Sequence, residues 1–293
     1  MELRHLRYFL AIVNAKSFTH AAETLGIGQP PLSMQIRDLE KEVGTELFHR
    51  VARGVELTPA GNEFYLVVKA IPELVETAKT AALKASRGES GILKVGFTTS
   101  SVFNRAVTQS VKTFSKKYPS LEMQFEETHT NMLINSVNNG TLDVAFVRTE
   151  HLAETALRLQ VILHEPLVVA LPMDHPLAQR SEISLHEIAA EPLIMCPQER
   201  SRFLHNTIRR ISDEEGVTLT YKRTTPTVAS IINLVSAGLG ISIVPSSLEN
   251  NASAGIDVAF VKINHKNANV PLSIISRVNE RSPAVNHFLK MFV

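Results

Sequence analysis

The stretch from Gly26 to Gly44, GIGQPPLSMQIRDLEKEVG, leaves the chain little choice of local structure. Gly26 supplies the left-handed position that ends a preceding helix. Pro30 and Pro31 are tolerated where the first-turn N–H groups of a new helix have no partner anyway. Leu32, Ile36, Leu39 and Val43 then follow at spacings of 4, 3 and 4, and at roughly 100° per residue they fall within about one quadrant of a helix. That face is expected to be buried. The opposite arc carries Pro30, Ser33, Met34, Arg37 and Lys41, with Gln29 and Gln35 flanking it near the N-terminal end. Upstream, Leu3, Leu6, Phe9 or Leu10 and Val13 recur at helical spacing, and a short helix capped by Ser17 or Thr19 runs through Ala21, Ala22 and Leu25. Two helices joined by a short Gly-containing turn, the second with small polar residues at its start, make a helix-turn-helix. Such a start fits a DNA major groove, where Gln and Ser reach base edges and backbone N–H groups meet phosphate.

The next segment, Leu47 to Thr58, reads as a short hairpin with Arg50 and Arg53 near its tip. It has no acid between Phe48 and Val55, which suits contact with phosphate or a minor groove. Bulk charge gives no such hint: the formal net charge is +1, and within Met1 to Thr58 seven Lys and Arg meet seven Asp and Glu. Nucleic-acid binding is therefore argued from where the basic groups sit.

Thr58 and Pro59 start another helix as N-cap and first helical residue. In it Phe64, Val68, Ile71, Val75, Ala78, Ala82 and Ala85 alternate 4 and 3 apart, a 3.5-residue repeat over about three heptads. A narrow apolar seam of that kind expects a partner helix, so a homodimer is predicted through it. Pro72 interrupts the seam and is expected to kink the helix or cost it a hydrogen bond. Arg87-Gly88-Glu89-Ser90-Gly91 reads as a linker, after which the pattern changes.

From ILKVGF onward, short apolar strands alternate with helices for about 200 residues, which means an α/β unit built as one domain or two lobes. Several strands are followed by hydroxyl-bearing helix starts: Thr98-Thr99-Ser100-Ser101, Thr130, Ser201 and Thr227. Each is a good N-cap. Helix N-termini at the strand ends of an open sheet also offer free N–H groups to an anion. With Arg148 at the end of VAFVR and Arg200 and Arg202 beside Ser201, they point to a small organic anion, most simply a carboxylate. TNMLINSVNNGTLDVAFV and TVASIINLVSAGLGISIVP are alike, each a Thr-started helix passing Gly140 or Gly238 into a strand, as two pseudo-equivalent lobes would require.

No catalytic signature is present: no G-x-S-x-G, no P-loop, no G-x-G-x-x-G and no H-E-x-x-H. The eleven histidines show no metal spacing, and the His164-Glu165 and His186-Glu187 pairs read as surface or strand-end residues. No cofactor or metal is expected. The lone Cys196 allows no intramolecular disulfide and reads as a small buried hydrophobe. No apolar run is long enough for a bilayer, and the N-terminus lacks a cleavage signal, so a cytoplasmic protein is expected.

The stretch MELRHLRYFLAIVNAKSFTHAAETLGIGQPPLSMQIRDLEKEVGTELFHRVARGVELTPAG, with LKVGF, GTLDVAFVR and SAGLGISIVP further on, resembles the LysR-type transcriptional regulators over essentially the whole chain. FVR and PPLS also resemble the subgroup that controls degradation of aromatic compounds. The resemblance implies an α/β protein overall, with a winged helix-turn-helix over 1–58 and a dimerising linker helix over 59–87. A hinge at 88–91 and a two-lobed effector domain over 92–293, similar to periplasmic solute-binding proteins, would follow. Lobe I would take about 92–163 and 267–293, and lobe II about 164–266. It implies homotetramers, as dimers of dimers, on double-stranded promoter DNA, with RNA polymerase as a further candidate partner. By matched motif positions, DNA contacts fall on Gln29, Pro30, Ser33, Gln35 and Arg37, with Arg50 and Arg53 in the wing. Met34 replaces the polar or basic residue often found there. Effector contacts fall on Ser100 or the neighbouring Thr98 and Thr99, on Thr130, Phe203 and Thr227, with Arg148 added by the strand-end argument. The rival reading is a solute-binding protein without transcriptional output, against which stand the 87 residues ahead of the linker.

Overall fold

In this computed structural model, residues 1–52, 54–153, 156–251 and 256–292 are described. The chain divides into two units, Met1–Leu83 and Lys84–Val293.

The first unit opens with α1 (Leu3–Ala15), α2 (Phe18–Leu25) and α3 (Gln29–Val43). Ser17 caps α2 by accepting from the His20 amide, Gly26 ends it in the left-handed conformation, and the two prolines lie in the first turn of α3. Leu6, Phe9 and Ile12 of α1 pack with Ala21, Ala22, Leu32, Ile36 and Leu39 in one core. Val43, expected to share that face, is instead 38% exposed at the last residue of α3, where the helix has run past its neighbours. A hairpin follows, β1 (Phe48–Val51) against β2 (Gly54–Leu57), antiparallel. It is tied to the end of α1 by the Val55 amide, which donates to the Lys16 carbonyl at 3.2 Å. Phe9 meets both Phe48 and Phe64 at ring-centroid distances of 5.0 Å, so hairpin and following helix share the core.

The long helix expected over 59–87 is two helices, α4 (Pro59–Val68) and α5 (Ile71–Ser86), separated by a turn at Lys69 and Ala70. Pro72 supplies the reason: it has no amide to give and its ring collides with the carbonyl four residues earlier, at Val68. The break also divides the apolar seam. Phe64, Val68 and Ile71 pack into the first unit's core, whereas α5 has no buried residue and exposes Leu74 at 63%.

The second unit runs β3 (Ser90–Phe97), α6 (Arg105–Lys117), β4 (Ser120–Glu127), α7 (Thr130–Asn138), β5 (Val144–Val147), β6 (Leu157–Pro172) and β7 (Glu182–Ile183). It continues with β8 (Pro192–Met195), α8 (Arg202–Glu215), β9 (Thr220–Thr224), α9 (Val228–Ser236), β10 (Ser242–Pro245), β11 (Val258–Ile263), β12 (Asn269–Arg277) and α10 (Pro283–Leu289). One sheet runs in the order β4-β3-β5-β12-β6-β11-β7, with β10 also on β6. The sixteen-residue β6 belongs to both lobes. Its residues 157–166 pair with β12, and its residues 167–172 pair with β10 and β11. The chain crosses between lobes within this strand and returns between β11 and β12. The likeness of the two Thr-started segments is structural: α7 and α9 are nine residues each, pass Gly140 and Gly238, and enter the fully buried strands β5 and β10.

The segment read as a hinge is not open chain. Gly88 is buried with φ +68, and any side chain on it would collide with the backbone of Pro283 and Ala284 at the start of α10. β3 begins two residues later.

Candidate effector cleft and DNA-binding face

Between the two lobes lies a cleft with a cavity volume of about 720 Å³. Thr98, Thr99, Ser100, Thr130, Arg148, Phe203 and Thr227, singled out from sequence, all line it. Three helix starts converge there, those of α7, α8 and α9, whose first-turn amides have no helical partner.

The hydroxyls do different work from that expected of simple caps. Thr227 does cap α9, accepting from the Ser230 amide at 3.2 Å. Thr130 is instead the first residue of α7, after a His129 that makes no side-chain cap, and its Oγ1 accepts from the Arg148 amide at 3.4 Å. Ser201 caps nothing with its side chain; its hydroxyl donates back to the Pro197 carbonyl at 3.1 Å. Thr98 to Ser101 open no helix, because α6 starts only at Arg105, capped by Asn104. They form a turn in which Thr98 is 7% exposed and its Oγ1 has no hydrogen-bond partner among the described residues. Phe203 sits half-buried at the first turn of α8, packed on the lobe II core with one side to the cleft.

Arg148 is not a free cation awaiting an anion. It is 8% exposed, its Nη1 lies 2.7 Å from Glu165 Oε2, and its Nη2 donates to the Ser100 carbonyl at 3.3 Å. Glu165, read from sequence as a surface or strand-end residue, is 3% exposed at the middle of β6 where the chain passes between lobes. It also accepts from Asn104 Nδ2 at 3.0 Å and from the Ser247 amide at 2.6 Å. Burial pushes the Glu165 carboxyl up, but the Arg148 charge and the Ser247 bonds outweigh it and hold the group below the usual carboxylate range. Its carboxylate therefore joins groups of lobe I, Asn104 and Arg148, to the lobe II backbone at Ser247. The sequence signal was slight: one acid heading the wholly apolar run PLVVAL. Cys196 also borders the cleft, 6% exposed, its thiol pushed by burial up to about 11.

On the first unit, Pro30, Met34 and Arg37 of α3 are exposed, and Gln29 and Ser33 are half-buried at its start. Arg50 is exposed on β1; Arg53 lies outside the described residues. Gln35 departs from expectation. It is half-buried on the side facing α1, where its Oε1 lies 3.1 Å from His5 Nε2. His5 Nδ1 accepts from the Glu2 amide at 3.3 Å, so Nε2 is the donor toward Gln35. That places Gln35 in the joint between α1 and α3.

Residues 3–62 match the bacterial regulatory helix-turn-helix of the lysR family, and residues 86–293 match the LysR substrate binding domain. The chain belongs to the LysR-type transcriptional regulators. It is 35% identical over 292 residues to the HTH-type transcriptional regulator BudR of Raoultella terrigena, covering 100% of both chains. It is 36% identical over 289 residues to the uncharacterized HTH-type transcriptional regulator YnfL of Escherichia coli K12, covering 98% and 96%. Among solved structures, full-length CbnR in complex with its target DNA is similar with a TM-score of 0.87 at 25% identity, covering 100% of this chain and 98% of that one. This LysR-type protein is thus a DNA-binding regulator carrying a substrate-binding effector domain, and not an enzyme. Among the described residues, no helix is long and apolar enough to cross a membrane.

Proposed function

We infer that this LysR-type regulator acts in the cytoplasm on promoter DNA and is switched by a small organic anion, a carboxylate, held between the lobes of its effector domain. The observation that carries this is the convergence in one cleft of hydroxyls and helix starts from both lobes, with the buried Arg148 guanidinium there already neutralised by Glu165. Free first-turn amides and the hydroxyls of Ser100, Thr130 and Thr227 then do the recognition, a combination suited to a single small anion. Phe203 supplies an apolar wall beside it.

Binding from both lobes favours the closed cleft, and closure shifts the packing between protomers. Swinging a population from 1:99 to 99:1 takes about 10⁴-fold tighter binding to one state. Protomers pair through α5, whose unburied seam supports a homodimer, and dimers pair into a tetramer that presents helix-turn-helix units to a dyad site. Gln29, Pro30, Ser33 and Arg37 face the major groove, and Arg50 and Arg53 lie along the backbone or minor groove. Gln35 acts from behind, as the tie to His5.

The test is thermal unfolding of the purified protein across benzoate-like, muconate-like and short aliphatic carboxylates. A ligand at 100 times its dissociation constant adds about 2.7 kcal/mol to the unfolding free energy. A selective shift that Thr130→Val abolishes while DNA affinity is retained supports the cleft reading. No shift across the panel, or loss of DNA binding in Thr130→Val, counts against it.

A further inference from the structure

The chain passes from β3 to α6 through a turn over 98–104, and backbone groups fasten this turn on the lobe I side. The Thr98 amide donates to the Phe146 carbonyl at 3.2 Å, and the Ser100 carbonyl accepts from Arg148 Nη2 at 3.3 Å. Ser101, wholly buried, closes the turn with its amide and hydroxyl, each donating to the Thr98 carbonyl at 2.9 Å. Val107 and Phe114, further along in α6, are seated in the lobe I core. Phe103 goes elsewhere. It packs on the lobe II core, against the cluster that includes Val168, Ala170, Cys196, Ile231 and Val244. Its neighbour Asn104 caps α6 with Oδ1, which accepts from the Ala106 amide at 2.9 Å, while its Nδ2 donates to Glu165, whose other oxygen holds the Ser247 amide. A turn that belongs to lobe I by chain is thus gripped by lobe II at two consecutive residues.

We propose that Phe103 is a positioning residue, an apolar latch between the lobes: it limits how far the empty cleft opens and keeps Thr98, Thr99 and Ser100 opposed to the helix starts of lobe II. Its part in the switch rests on the reading of the cleft as the effector site. Two strand crossings alone leave the lobes free to turn about them as a hinge. A third link, away from those strands, resists that turning, because opening draws the Phe103 ring off its seat and exposes apolar surface of both to water. The seat is also a wall of the cleft, since Cys196, Ile231 and Val244 line the cavity as well as belonging to the cluster under Phe103. Whatever fills the cleft therefore presses on the residues that hold the latch. With the latch gone the cleft spends more time open, and affinity for a ligand held from both lobes falls with the fraction of time that it is closed.

The experiment measures the distance between the lobes in the ligand-free, full-length protein by pulsed electron resonance. Spin labels are placed on cysteines introduced at Asn138 of α7 and Asn233 of α9, both exposed, while the native Cys196 is buried. Labelled protein is diluted into unlabelled protein so that only distances within one protomer are read. The measurement is repeated with Phe103→Leu, Phe103→Val and Phe103→Ala, each checked for folding by its melting curve. The expected result is a single narrow distribution in the parent protein and in Phe103→Leu, which keeps an apolar side chain in the seat, and a broader one in Phe103→Val and Phe103→Ala. Should the alanine variant not fold, the valine variant against the leucine variant decides. An unchanged distribution in the truncated variants overturns the latch, and so does equal broadening in Phe103→Leu, which means that the turn has lost its fold rather than its seat. The thermal panel of carboxylates separates the two readings. Broadening in the truncated variants with no ligand shift keeps the latch and removes the effector reading of the cleft; a selective ligand shift without broadening removes the latch alone.

Discussion

At the scale of single residues, Glu165 shows how one side chain can decide the behaviour of a whole interface. Its carboxylate has three partners in a nearly water-free setting: Arg148, Asn104 and the Ser247 amide. Removing the charge with Glu165→Gln strands the buried Arg148 guanidinium, and breaking a buried pair in this way costs about 3–5 kcal/mol. Chemical denaturation should show a loss of that size. The double variant Arg148→Met with Glu165→Gln should recover a good part of it, because the stranded charge is gone. The same group sets an acid limit. Because its folded pKa lies below its unfolded one, the unfolded chain takes up this proton first as pH falls. The stabilisation is thus complete above the ordinary carboxylate range near 4.3 and is lost progressively below it as the pH approaches the folded value. Melting temperature measured between pH 7 and pH 3 should fall more steeply in the wild type than in the double variant.

At the scale of elements, the joint between α1 and the wing depends on backbone conformation more than on side chains. Lys16 ends α1 in the left-handed region at φ 52, and its carbonyl receives Val55 of β2, directly after Gly54 at φ +122. A side chain at Gly54 would run into that carbonyl. Gly54→Ala should therefore destabilise the first unit by more than about 1 kcal/mol, whereas Lys16→Gly should stabilise it by up to about 1 kcal/mol by relieving the left-handed strain. Opposite shifts in the denaturation midpoint are the check. Elements were legible from sequence wherever a local signal had a single meaning. The prolines opening α3, the Thr58-Pro59 start of α4 and the paired segments around α7 and α9 fell where local chemistry put them. The misreadings share a cause, which is that tertiary partners outrank local preference. Hydroxyls at Thr98 to Ser101 satisfy the rule for a helix start, yet the Ser101 hydroxyl donates back to the Thr98 carbonyl and Asn104 takes the cap. The seam through residues 64–85 satisfies a heptad rule, yet Pro72 parts it and each half buries differently. Glu165 looked like a surface acid because its partners are 17, 61 and 82 residues away and no spacing records them.

At the scale of the whole molecule, the effector domain is two lobes sharing one strand, with the cleft where that strand passes from one to the other. The cleft residues come from seven stretches of chain, 98–100, 127–132, 148–151, 196–206, 226–231, 244–245 and 270, and all seven residues expected from sequence lie among them. The deeper reason for such cooperation is the position of β12. This strand, Asn269–Arg277, is the last in the chain, yet it lies in the interior of the sheet between β5 and β6. During synthesis, β3, β4 and β5 leave the ribosome with their central neighbour still unmade, and the gap closes only when nearly the whole chain is available. The domain is therefore expected to have no stable halfway stage before β12 is made. A chain ending after Ile263 should yield a folded first unit joined to an effector region that exchanges its amide hydrogens freely and precipitates. It should not yield a smaller, working binder, and hydrogen exchange on that truncated chain is the measurement that decides it. The cleft between the lobes is thus assembled late, because the strand that seats β5 beside β6 is made after every residue of the cleft but Val270.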